Sequence, residues 1–215
     1  MRDLKYLGAY TIPIATAVAL GSRGWLTFSA VLIAFIIIPL AEILIGKDTA
    51  NLSEDQLKSK KHDHLFDLML YLNAPIVFGL LYWTFKNVYA IDYSVVEMIG
   101  IASCTGILLA TNSINVAHEL GHRKGMFERT LSKMLLMPCL YMHFYIEHNF
   151  GHHLHVATPN DGATARYNQS VYCFWFTSIT KQYLDAWKLQ IKLLHTENTS
   201  FFSLKNDMFW YHLIQ

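Results

Sequence analysis

Histidines are the residues of this sequence with the clearest chemical potential, and they are unevenly distributed. Nine of the eleven lie in two stretches, 62–64 and 118–155. In the sequence His118-Glu-Leu-Gly-His122, two histidines are four residues apart. On a helix both imidazoles then lie on one face and can bind one metal ion. Asn112 and Asn115 lie just ahead of this group, and they are candidates to orient its imidazoles.

A denser histidine group follows about thirty residues later, in the sequence Glu147-His148-Asn-Phe-Gly-His152-His153. His148 and His152 repeat the four-residue spacing, and His153 projects about 100° further around a helix, as a ligand of a second metal ion would. Five imidazoles from two segments are more than one open catalytic ion needs, and they suit two ions. The short apolar run Met134–Ile146 can return the chain so that the two groups face each other.

The ligand type alone does not identify the metal, because imidazole suits zinc, copper, iron and nickel. The three cysteines form no CxxC pair, so the sequence predicts neither a thiolate zinc site nor a disulfide framework. The first group is also a literal HExxH, the zinc protease motif, in which Glu119 would be the general base. A zinc protease needs only one further ligand and leaves the second histidine group unexplained, so it is the lesser alternative.

The acids and the remaining histidines have less specific roles. Glu119 and Glu147 each hold a neighbouring imidazole through its free N–H, or form an ion pair with an arginine. His143 and His155 are supporting hydrogen-bond donors or surface residues. The other histidines are interpreted as ordinary loop or interface residues: His62, His64, His195 and His212.

The elements that carry these groups are apolar enough to cross a membrane. The sequence is 53% hydrophobic and 15% charged, whereas an average soluble domain has about 25% charged residues. Crossing a bilayer takes about 20 apolar residues, and buried helices of a soluble protein are the lesser interpretation. We predict an all-α fold in one domain, 1–215: a polytopic transmembrane helical bundle whose histidine groups, 118–122 and 148–153, form the metal site. Its transmembrane helices are expected at 6–22, 24–46, 68–86 and 94–117, the first two turning at Gly21–Gly24.

The distribution of lysine and arginine predicts the orientation of this bundle. Two basic residues precede the first span, and four each lie in the second loop and just after the fourth span, whereas the other two turns have one each. By the positive-inside rule, the N-terminus, the second loop and the metal site are cytoplasmic. We expect a multi-pass integral membrane protein, in bacteria one of the inner membrane. The formal net charge of +1 gives no indication of a nucleic-acid partner.

Two further segments allow more than one interpretation. The helix predicted at Cys173–Leu194 is aromatic, basic and amphipathic, which suits a membrane surface and equally a helix packed on its own protein. A second predicted helix covers Thr130–Cys139. The fourth span carries small residues, among them Gly100 and Gly106. They let helices approach closely or leave room for a substrate chain, and close packing is the preferred interpretation.

These motifs resemble those of the membrane-bound alkane 1-monooxygenases, the alkane hydroxylase branch of the histidine-box fatty acid desaturase and hydroxylase superfamily. The segment His118-Glu-Leu-Gly-His122-Arg resembles the family's first box. The segment from Glu147 to Arg166 resembles EHxxGHHxxVATPxDPAxxR, with Gly162 where the family usually has proline. The later family motifs, NYxEHYG and LQRHxxHH, have no counterpart before Gln215. We therefore expect the chain to correspond to the N-terminal part of such an enzyme, with further ligands downstream.

The resemblance implies a non-haem diiron monooxygenase that hydroxylates the terminal methyl group of alkanes or related fatty-chain substrates. It implies O2 as co-substrate and electrons from a rubredoxin-type donor with its reductase. It assigns no catalytic residue beyond the ligands of the two iron ions, and the sequence has no GxGxxG motif for a nucleotide cofactor. The remaining alternatives are an acyl-lipid desaturase, an aromatic-methyl hydroxylase, a zinc protease and an inactive metal-binding protein. The implied iron ligands are His118, His122, His148, His152 and His153.

Overall fold

The computed structural model describes residues 2–45 and 64–215, with side chains from residue 6 onward. The described residues form helices and no β-strand, which confirms the all-α prediction. The chain divides into two compact units, Met1–Val116 and Ala117–Gln215. The single-domain organisation stays a prediction. Five residues of the predicted cytoplasmic second loop lie outside the described residues: Lys47, Lys58, Lys60, Lys61 and His62.

Three helices are long and apolar enough to cross a bilayer, as predicted. They are α2 (Gly24–Ile45), α3 (His64–Ala90) and α4 (Val95–Gly121). The first predicted span corresponds to a shorter apolar helix, Tyr6–Leu20, whose regular α-helical part is α1 (Thr11–Leu20). Pro13 is tolerated there because it lies in the first turn of α1, where a backbone N–H has no partner within the helix. These helices make the protein an integral membrane protein.

The turn between α1 and α2 is held against the start of α4 by Glu97. Gly24 takes the left-handed conformation that glycine adopts most easily, with φ 62°. Ser94 and Glu97 form a capping box at the first turn of α4, each accepting a hydrogen bond from the other's backbone N–H. The second carboxylate oxygen of Glu97 accepts bonds from the Gly24 N–H (2.7 Å) and from Arg23 Nε (3.0 Å). The Glu97 carboxylate therefore stabilises both the turn between α1 and α2 and the first turn of α4.

Helices α2 and α4 approach closely at one glycine. A Cβ atom added to Gly100 would lie 2.5 Å from Thr27 Oγ1 and 2.9 Å from the ring of Phe28. One turn later, the Cys104 thiol donates a hydrogen bond to the Thr27 carbonyl oxygen (3.1 Å). Around Gly106, by contrast, the described residues place no atom within 4 Å of such a Cβ. The preferred packing role thus holds for Gly100, and open space lies beside Gly106.

Substitution of these two glycines is expected to separate packing from helix propensity. Gly100→Ala should lower the free energy of unfolding by about 1–3 kcal/mol, because the new methyl group overlaps Thr27 and Phe28. Gly106→Ala is the matched control: it meets no neighbour, and alanine is the better helix former by about 1 kcal/mol. Thermal unfolding in detergent, followed by circular dichroism, measures both. Equal losses in the two variants would contradict the close approach at Gly100.

A π-helical segment, Leu109–Ile114, interrupts α4 and carries a polar network of the first unit. Asn112 Nδ2 donates to Asn73 Oδ1 (2.9 Å) and to the Ala9 carbonyl oxygen (3.0 Å). Its Oδ1 accepts a bond from Thr111 Oγ1 (2.8 Å). The interpretation that Asn112 orients a histidine is therefore wrong, because its amide group is used within the first unit. Asn115 is exposed.

The second unit consists of shorter helices that reverse the chain between the two histidine groups. Helix α5 (Met126–Leu136) continues into a 3₁₀ turn, and Leu140 then adopts a left-handed conformation with φ 52°. The N–H groups of Leu140 and Tyr141 bond to the carbonyl oxygens of Met137 and Leu136, which is a Schellman helix end. The apolar run Met134–Ile146 therefore contains a reversal and is not one helix. The unit continues with α6 (144–155), α7 (Val171–Thr196) and α8 (Asp207–Ile214).

Candidate metal centre

The first histidine pair lies where α4 ends. His118 is in the last turn of α4, and His122 follows its final residue, Gly121. The His122 N–H bonds to the Glu119 carbonyl oxygen (3.3 Å), so the chain tightens into a 3₁₀-type turn. The two imidazoles still converge, with their Nε2 atoms 2.9 Å apart. The spacing argument therefore holds although His122 lies outside the regular helix.

His148, from the second histidine group, joins this pair. Its Nε2 atom lies 3.3 Å from that of His122, and the ligand atoms of His118, His122 and His148 are all within 4.8 Å of one another. His148 is only 9% exposed. Burial, together with the neighbouring histidines, lowers the pKa of His148 to about 3. The imidazole is therefore neutral at physiological pH, the form that metal binding requires.

His153 also reaches this group, because α6 is a π-helix over His148–His152. In a π-helix the hydrogen bonds join residues five apart, so two side chains five positions apart lie near the same face of the helix. The Nε2 atoms of His153 and His148 are 3.1 Å apart. The sequence predicted a side chain about 100° away, pointing to a separate ion. The structure places His153 beside His148, and its assignment to a second metal ion stays a prediction.

His152 is held by Asp161, an acid for which the sequence predicted no role. Its Nδ1 atom lies 3.0 Å from both carboxylate oxygens of Asp161, and its ring stacks on that of His148 at 5.2 Å. The Asp161 side chain is fully buried and also accepts bonds from the Ala163 N–H and the Thr164 hydroxyl. This contact keeps the proton of His152 on Nδ1 and leaves Nε2 as the metal-binding atom.

The pKa of Asp161 agrees with this role. Burial by itself opposes ionisation, but the hydrogen bonds from Thr164, His152 and Ala163 outweigh it and lower the pKa of Asp161 below its usual value. Asp161 is therefore a carboxylate. The available sequence signal was its place in the VATPND segment, nine residues after His152.

A column of stacked rings fixes His148 from its other side. The ring of Phe144 lies 4.7 Å from that of His148, and the ring of Tyr141 lies 5.1 Å from that of Phe144, with interplanar angles of 21° and 19°. The Tyr141 hydroxyl in turn donates a hydrogen bond to Gln182 Oε1 on α7 (2.7 Å). His148 is thus held between Phe144 and His152, which limits its rotation.

The two acids beside the histidines differ in environment. Glu119 forms an ion pair with Arg123 at 3.2 Å. Of the two roles predicted for Glu119, the structure therefore shows the ion pair with an arginine. Glu147 is 2% exposed, and its Oε2 atom has no hydrogen-bond partner within the described residues. Burial and, secondly, the charge of Asp161 raise the pKa of Glu147 to about 7. Neither a bond to an imidazole nor an arginine partner is seen at this oxygen.

The other histidines of the second unit do not belong to the group of His118, His122 and His148: they are His143, His155, His195 and His212. His143 is buried between the rings of Tyr141 and Tyr183, and burial, with a smaller effect of His212, lowers its pKa to about 4. His212 bonds to the Tyr183 hydroxyl (2.6 Å) and to a backbone carbonyl oxygen. His195 is exposed, and His155 is partly exposed.

The donor set fits a metal ion. Metal–imidazole bonds of about 2.0–2.1 Å place two ligand nitrogens on one ion about 3.0–3.4 Å apart. The successive Nε2 separations, 2.9, 3.3 and 3.1 Å, lie close to that range. Because the donors are imidazoles and no thiolate takes part in the group, zinc, copper, iron and nickel are all compatible.

Comparison with known proteins gives the family. The family model for fatty acid desaturases matches residues 94–214. Alkane 1-monooxygenase 1 of Alcanivorax borkumensis is 33% identical over 198 residues, which is 91% of this chain and 49% of that protein. Alkane 1-monooxygenase of Pseudomonas putida is 32% identical over 187 residues, 86% of this chain and 46% of that protein.

A more distant relative is named for a different substrate. The xylene/toluene monooxygenase hydroxylase component XylM of Pseudomonas putida is 27% identical over an alignment that covers 98% of this chain and 56% of that protein. The chain spans about half the length of the curated relatives it matches. From the family match and the homologues we conclude that this chain belongs to the fatty acid desaturase family and, within the desaturase and hydroxylase superfamily, is homologous to the alkane 1-monooxygenases.

Proposed function

We propose that this chain is part of a membrane-bound non-haem diiron monooxygenase that hydroxylates the terminal methyl group of alkanes or related fatty chains. The observation that carries the proposal is the convergence of imidazole Nε2 atoms from both histidine groups, at separations suited to metal ligation. The similarity to alkane 1-monooxygenases supports the substrate class. When bound, the iron ions would supply the activation of O2 that an unreactive methyl C–H bond requires.

The residues of this chain would hold and orient the metal. Two of the proposed ligands are held by neighbouring side chains: His148 is stacked between Phe144 and His152, and His152 is fixed by Asp161. His118 and His122 are placed by the end of α4. The full proposed ligand set is His118, His122, His148, His152 and His153.

The membrane setting suits this chemistry. An alkane partitions into lipid, so an enzyme with membrane-spanning helices takes its substrate from the bilayer. The electrons would come from a rubredoxin-type protein and its reductase on the cytoplasmic side. Loss of hydroxylation in cells that express the full gene product but lack such a donor tests this part of the proposal.

The glutamate of the first histidine group distinguishes the oxygenase from a zinc protease. In a protease Glu119 would be the general base, worth about 10²–10⁴ in rate. Here its carboxylate pairs with Arg123, so Glu119→Gln is expected to slow octane hydroxylation only partially. The measurement compares octanol formation and peptide cleavage by the full gene product and its variant. Peptide cleavage by the unchanged protein that disappears in the variant, with no octanol from either, would overturn the proposal.

The side of the membrane is tested by reporter fusions. We expect a reporter fused after Lys124 to behave as cytoplasmic and one fused at Tyr89 as external, because basic residues cluster on the side of the metal centre. Alkaline phosphatase and green fluorescent protein fusions give complementary readouts. The reversed pattern would contradict both the orientation and the cytoplasmic electron supply.

An aromatic-methyl hydroxylase is the second candidate, favoured by the similarity to XylM across nearly the whole chain. The lower identity to that protein, 27% against 33%, makes the alkane the preferred substrate. Competition between octane and toluene in the same cells, with both products quantified, distinguishes the two. A product ratio dominated by benzyl alcohol would favour the second candidate.

A further inference from the structure

The first half of α7 has its apolar and polar faces reversed relative to a helix in water. Four large apolar residues recur at positions three and four apart, so they share one face of the helix. Each is more than half exposed: Tyr172, Trp175, Phe176 and Ile179. We call this the α7 aromatic face. Buried positions of the same helix include the polar residues Ser178, Gln182 and Gln190.

The buried polar residues prevent α7 from turning its aromatic face inward. Gln182 accepts a hydrogen bond from the Tyr141 hydroxyl (2.7 Å) and donates one to Ser178 Oγ (2.7 Å). The bond to Ser178 lies within α7, but a rotation of α7 would break the bond from Tyr141 and leave its partly buried hydroxyl without this partner, which is costly. The outward position of the aromatic face is therefore a fixed feature of the second unit.

The composition of this face matches a lipid interface. Tyrosine and tryptophan are enriched where a membrane meets water, since each has an apolar ring and a polar group. Three lysines, Lys181, Lys188 and Lys192, lie on the opposite side of the same helix, and the first two pair with Asp185. Membrane-surface helices combine these two features.

The chain connection supplies an independent argument. The second unit begins at Ala117, within the membrane-spanning helix α4, which ends at Gly121. The unit is therefore tethered to a membrane surface. We propose that the α7 aromatic face docks into the headgroup and upper acyl region of a phospholipid bilayer. This inference does not depend on the metal or on the proposed activity.

Tryptophan fluorescence tests the proposal with a matched pair of variants. The protein is reconstituted into vesicles of phosphatidylcholine and phosphatidylglycerol, with or without lipids brominated in the upper acyl chain. Trp175→Phe removes the ring from the aromatic face. Trp187→Phe is the control on the same helix, because Trp187 stacks against Phe201 at 5.8 Å within the unit. Both are conservative changes, and circular dichroism verifies that the helix content is kept.

The emission lost in Trp175→Phe should be the component that brominated lipid quenches strongly and aqueous iodide quenches weakly. The emission lost in Trp187→Phe should respond little to brominated lipid. If iodide quenches the Trp175 component and brominated lipid does not, the face lies in water and the proposal is wrong. If neither reagent quenches it, protein covers the face and the proposal is equally wrong.

Discussion

Replacing His148 with alanine is expected to abolish metal binding at the histidine centre. His148 is the common neighbour of the group, with its Nε2 atom 3.3 Å from that of His122 and 3.1 Å from that of His153. Its removal deletes a donor and also the ring against which Phe144 and His152 stack. Loss of even a supporting hydrogen bond lowers metal affinity or activity about 10–100-fold, so loss of this ligand should exceed that range.

Elemental analysis of the purified protein provides the measurement, since it reports iron and zinc without requiring turnover. The matched control is His195→Ala, because His195 is exposed and lies outside the histidine group. That variant should keep the metal content of the unchanged protein. Full metal content in the His148 variant would refute the assignment of the centre. Stoichiometric zinc with no iron in the unchanged protein would refute the diiron proposal while leaving the site intact.

Replacing Asp161 with asparagine is expected to weaken metal binding about 10–100-fold. The carboxylate of Asp161 keeps the proton of His152 on Nδ1, and asparagine retains an oxygen acceptor but loses the charge. His152 can then adopt the other tautomer or turn its ring, and either change removes Nε2 as a donor. Metal affinity, measured by competition with a chelator, is the readout.

Asp185→Asn is the control for a general loss of carboxylate charge in the same unit. Asp185 bonds to Lys181 (2.9 Å) and Lys188 (2.8 Å) and to no histidine among the described residues. The metal affinity of the Asp185→Asn variant should therefore equal that of the unchanged protein. Thermal unfolding of the metal-free protein distinguishes a lost orientation of His152 from a lost stability of the loop that contains Asp161. An Asp161 variant that unfolds at lower temperature yet binds metal normally would show that Asp161 only stabilises its loop.

The membrane helices were predictable because hydropathy over about 20 residues is a property of the chain itself. The predicted spans 24–46, 68–86 and 94–117 each overlap an observed helix, α2, α3 and α4, with ends that differ by up to four residues. At the start of α4, for example, the Ser94 capping box determines where the helix begins.

The role of the small residues in α4 was predictable only in part. Sequence alone treats Gly100 and Gly106 alike, since both interrupt an apolar helix. The structure distinguishes them by their neighbours. Thr27 and Phe28 lie against Gly100, whereas Gly106 faces open space among the described residues. The partners of Asn112 were missed for the same reason, because Asn73 and Ala9 are distant in the chain.

By itself, the sequence determined the class of fold, the two histidine groups and the family, because hydropathy, residue spacing and motif order are local properties. Only the tertiary structure decided how the imidazoles meet. The π-helix at His148–His152 brings His153, five residues on, beside His148. The orientation of His152 depends on Asp161, which folds back from a loop and is buried there. The first contact needs a π-helical turn that the four-residue spacing does not predict, and the second forms only when separate segments pack together.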